Sequence, residues 1–61
     1  MATITTKELS GLDDILNQEH NLVLKFKHYA QGTDDPKLKT QFEQIASKHQ
    51  QHFDTIMSLL K

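Results

Sequence analysis

Three residues of this chain have the types and the spacing to do chemistry together: Glu19, His49 and His52. Imidazoles three positions apart lie on one side of a helix and can reach the same ion, and a carboxylate brought in from another segment supplies an oxygen ligand. Two histidines and a glutamate therefore make a candidate divalent-metal set. The same groups can instead satisfy one another by hydrogen bonding, and a polar pair inside a helical bundle fixes register and partner orientation at some expense of stability. Internal polar packing is the commoner fate of such a set. His20 and His28 sit beside the apolar stripe described next and read as solvated surface residues. Ser10, Ser47 and Ser58 have no base and orienting group arranged around them, so no catalytic residue is assigned and no enzyme activity is expected.

The elements that must position the three residues are written in the apolar periodicity. Leu12, Ile15, Leu16, Leu22, Val23, Phe26, Tyr29 and Ala30 recur at three- and four-residue steps, which lines one side of an α-helix. Glu19 is the one position on that face that is not apolar. Leu38, Phe42, Ile45, Ala46, Phe53, Ile56, Leu59 and Leu60 obey the same rule in the second half, with His49 and His52 between Ala46 and Phe53. Each helix thus has a greasy face with a polar middle.

The helix ends are marked as well. Thr5 with Glu8 three residues on reads as a capping box, which starts the first helix near Thr6. Gly32 predicts a left-handed stop, with Lys25, Lys27 and His28 toward the negative end of the dipole. Asp35 followed by Pro36 predicts the second start, Asp capping free amides and proline occupying the first helical position. A connection of so few residues forces the helices antiparallel. The fold class is all-α: a two-helix hairpin over about 6–31 and 36–60, forming a single domain, 1–61.

Equal rise along both helices sets the register, so that opposed residues have numbers summing to about 67 or 68. Phe26 then faces Phe42, Leu22 faces Ile45, Leu12 faces Ile56, and Glu19 faces His49, with His52 one turn further along. A chain of 61 residues in two helices has no third element to cover the outer part of either stripe. Small chains need disulfides, a metal or self-association to hold a core, and there is no cysteine. The stripes are wider than a coiled-coil seam and suit a bundle core. A homodimer forming a four-helix bundle is expected, with two copies of the polar set at its middle.

Composition excludes several partners. Formal net charge is −1 and the basic residues are all lysine, whereas nucleic-acid binding leans on clustered cations and arginine forks. No apolar run approaches the length of a membrane span, and MATITTKELS lacks the features of a secretory signal. The expectation is a protein made in the cytoplasm, with no nucleic acid and no membrane among its partners.

These residues also carry a resemblance. TTKEL at 5–9, the pair Gln18-Glu19 followed by an apolar and lysine-rich run ending in Tyr29-Ala30, the Asp35-Pro36 turn with its LK, and IASKHQQHF at 45–53 resemble the small spore-coat-type proteins of endospore-forming bacteria, similar to the coat protein F group. The resemblance spans nearly the whole chain. It implies a ferritin-like hairpin, a structural and non-enzymatic place in the spore coat, and other coat proteins as partners. Coats of this kind are crosslinked between glutamine and lysine, so Gln31, Gln41, Gln44, Gln50, Gln51, Lys37, Lys39 and Lys48 become candidate crosslinking side chains. The alternative function is a small metal-binding, ferritin-like helical bundle in which Glu19, His49 and His52 hold a divalent metal as the one cofactor.

Overall fold

A computed structural model describes residues 4–60, which contain two α-helices and no strand. Helix α1 runs Thr6–Gly32 and helix α2 runs Pro36–Leu59, folded as an antiparallel hairpin. Of the expected domain, 1–61, residues 1–3 and 61 lie outside the described residues.

Both helix starts follow from their caps. The Thr5 hydroxyl accepts from the Glu8 amide at 3.1 Å, and the Glu8 carboxylate accepts in return from the Thr5 amide at 3.2 Å, so two free amides of the first turn are satisfied reciprocally. At α2 the Asp35 carboxylate accepts from the amides of Lys37 at 2.9 Å and Leu38 at 3.2 Å. Pro36 follows it at the first helical position, where no amide partner is missed.

The stop of α1 differs from expectation. Gly32 is the last helical residue, with no positive φ, and Thr33 caps the helix in the extended region at φ −100° and ψ 141°. Thr33 takes the chain straight into β conformation, and Asp35 before the proline is extended as well, so no left-handed residue is used in the link. The Thr33 hydroxyl accepts from the Asp35 amide at 3.2 Å and steadies this link. Lys25, Lys27 and His28 also fall short of the last turn, which holds no basic residue, and dipole interactions fade beyond that turn. Helix α2 ends one residue earlier than expected, with Leu60 as its cap donating to the Met57 carbonyl at 3.1 Å.

Burial sorts each stripe into rows seven residues apart, which drift only slowly around a helix. Leu16, Val23 and Ala30 on α1, with Ala46 on α2, are buried between the helices. A second row is half-buried: Leu12, Glu19 and Phe26 on α1, Phe42, His49 and Ile56 on α2. A third row is Ile15, Leu22 and Tyr29 on α1, with Leu38, Ile45, His52 and Leu59 on α2. Its members are half-buried or exposed, up to 59% for Leu59. The second and third rows of both helices share one broad face, since the rings of Phe26, Tyr29, Phe42 and His49 meet there at centroid distances of 5.6–6.1 Å.

The resulting body is a flat rod of 47 × 16 × 11 Å, two helices wide and one thick. Its radius of gyration of 14.5 Å compares with about 10.5 Å for a compact domain of this length.

Candidate functional site

The polar set lies halfway along the rod. Glu19 is the midpoint of α1, and the hairpin register carries His49 and His52 of α2 to it. His49 Nδ1 lies 3.0 Å from Glu19 Oε2 and 3.3 Å from Oε1, while His52 Nδ1 lies 3.0 Å from Oε2. One carboxylate oxygen thus serves both imidazoles. An ionised carboxylate only accepts, so both Nδ1 atoms act as donors here.

Each member has a different exposure. The Glu19 side chain is 15% exposed, His49 23% and His52 59%. Two rings border His49: Phe26 stacks on it at 6.1 Å and 14° between planes, and the His52 ring meets it edge-on at 5.6 Å. His49 is thus the inner imidazole of the cluster and His52 the outer one. The hydrogen bond from His49 holds the Glu19 carboxyl below the usual carboxylate range. Partial burial pushes the other way, and the second bond from His52 adds to the lowering.

The expected pairing of Glu19 with His49 is thus present, and His52 joins on the same oxygen. Phe26 and Phe42 face each other at 6.0 Å, as the register requires. His20 and His28 lie apart from the cluster and are exposed, His20 near Phe53 at 6.1 Å and His28 near Tyr29 at 6.4 Å. The stacking of Phe26 on His49 was not foreseen. Its signal was available in the spacing, since Phe26 follows Glu19 by seven residues and so stands in the same row.

No family model, curated protein or solved structure matches the chain. Among the described residues, Glu19, His49 and His52 are the group whose nitrogen and oxygen donors converge, one atom from each lying within 4.8 Å of the others. Such an arrangement can hold a proton network or a small cation. No described helix is long and apolar enough to cross a membrane.

Proposed function

We propose that this chain is a self-associating structural component of the bacterial spore coat, non-enzymatic, whose hairpin pairs with a second copy to form a ferritin-like four-helix bundle. The observation that carries the reading is the uncovered apolar face. The whole chain's accessible surface of 4929 Å² exceeds the roughly 4000 Å² of a compact monomer of this mass and leaves only about half of the unfolded chain's surface buried, against about 60% for a compact domain of this size. Ile15, Tyr29, Leu38 and Leu59 are 42–59% exposed along the face that carries the second and third rows. A surface 47 Å long and 16 Å wide is on the scale of the ~800 Å² that each partner buries in a standard interface. A second copy presents a matching face of the same length and pattern, so a two-fold pairing covers both at once.

The coat assignment rests on the resemblance of the 5–9, 18–30 and 45–53 segments to small coat proteins, and the surface agrees with it. Gln31, Gln41, Gln44, Gln50, Gln51, Lys37, Lys39 and Lys48 are all exposed. Sedimentation equilibrium across the micromolar range tests the assembly, with twice the chain mass expected. A well-folded monomer throughout overturns it. Incubation with a transglutaminase is expected to give covalent multimers, and a tagged chain produced in a sporulating host is expected to fractionate with the coat layer.

A further inference from the structure

We infer that Glu19, His49 and His52 form a binding site for one first-row divalent transition metal per chain, zinc being the ion expected to bind, through one carboxylate oxygen and the two Nδ1 atoms.

The donor set has the right softness. Imidazole nitrogen with a carboxylate suits zinc and its neighbours, whereas magnesium and calcium take oxygen alone. The spacing is right as well. Ligands at about 2.0–2.1 Å from a four-coordinate zinc stand roughly 3.3 Å apart along the edges of the tetrahedron. The nitrogen-to-oxygen separations here are 3.0 and 3.3 Å for His49 and 3.0 Å for His52, and the three donor atoms lie within 4.8 Å of one another, so binding requires side-chain rotation that draws the two imidazoles together around the ion. The two Nδ1 protons now point at the oxygen, into the space an ion would take. On binding, each imidazole presents its Nδ1 lone pair to the metal and carries its remaining proton on Nε2.

The surroundings resemble those of an open rather than a closed site. Three protein ligands leave a fourth position, and His52, at 59% exposure, stands on its solvent side. Phe26 packed flat against His49 fixes one ligand ring before any ion arrives. All three ligands belong to one chain and come from two elements, so the metal pins the hairpin at its midpoint. This inference does not depend on self-association, although a second copy seated on the same face would enclose the ion.

Calorimetric titration of the metal-stripped protein with Zn²⁺ tests it, with long-range proton–nitrogen NMR of the histidine rings and sedimentation on the same samples. Saturable binding of one Zn²⁺ per chain is expected, with the nitrogen shifts placing metal on Nδ1 of His49 and His52. Glu19→Gln and His52→Ala should each weaken the affinity by at least about tenfold, since even outer-shell changes have effects of that order. His20→Ala and His28→Ala should leave it unchanged. His52 is exposed, so its variant keeps the fold, and circular dichroism checks that it does. The inference is overturned by the absence of saturable binding, by binding that survives both Glu19→Gln and His52→Ala, or by equal losses in the His20 and His28 variants. Sedimentation reports the oligomer independently, so failure of the metal site and failure of the dimer are read separately.

Discussion

At the scale of single residues, Glu19 determines how the middle of the hairpin responds to acid. Its folded-state pKa is depressed, so the unfolded chain takes up the proton first as pH falls. The contribution is fully present above the usual carboxylate value and is lost as pH drops through the lowered one. Melting temperature followed against pH should therefore show an acid limb, and Glu19→Gln should flatten it. A limb unchanged by that substitution would assign the acid sensitivity elsewhere. Asp35 works differently, through geometry. It accepts from two amides at the start of α2, and Asp35→Ala should lower stability by about 1 kcal/mol in denaturant titrations.

At the scale of the helices, the two glycines are the informative positions. Gly11 and Gly32 both lie within α1 without positive φ, and a Cβ built on either meets nothing within 4 Å. Neither uses the conformational freedom that glycine provides, and each carries the backbone entropy of a flexible residue. Gly11→Ala and Gly32→Ala should each raise stability by about 0.5–1 kcal/mol, read as a shift of the chemical midpoint at constant slope. A loss at Gly32 would restore the left-handed stop that its position next to the turn first implies. Helix ends were legible in the sequence wherever a side chain closes its own local loop. Thr5 with Glu8 and Asp35 with Pro36 are such cases. The left-handed stop expected at Gly32 is absent, because Thr33 beyond it leaves the helix in the extended region and the turn uses no positive φ.

At the scale of the whole molecule, the hairpin has a thin core and a wide open face. Leu16, Val23, Ala30 and Ala46 are its buried apolar residues. Leu16→Ala should destabilise by about 2–3 kcal/mol, a large share of what so small a fold can possess. Substitution on the open face should act through assembly instead. Ile15→Lys and Leu38→Lys alter side chains that are 44% and 42% exposed within one chain, so they should disturb the monomer little while abolishing the proposed dimer. The expected signature is a melting temperature that rises with concentration for the native chain and not for these variants. Concentration-independent melting of the native protein would count against pairing.

The sequence by itself determined the helices, their antiparallel order and the meeting of Glu19 with His49. Periodicity, capping and the shortness of a connection are local properties, and equal rise along two helices converts them into a register. Only the tertiary structure decided that His52 turns to the same carboxylate oxygen, that Phe26 lies flat against His49, and which members of each stripe are buried. Rotamers and burial are set by neighbours across the helix pair. A stripe in one dimension marks a face as apolar without saying how much of it a single partner helix can cover.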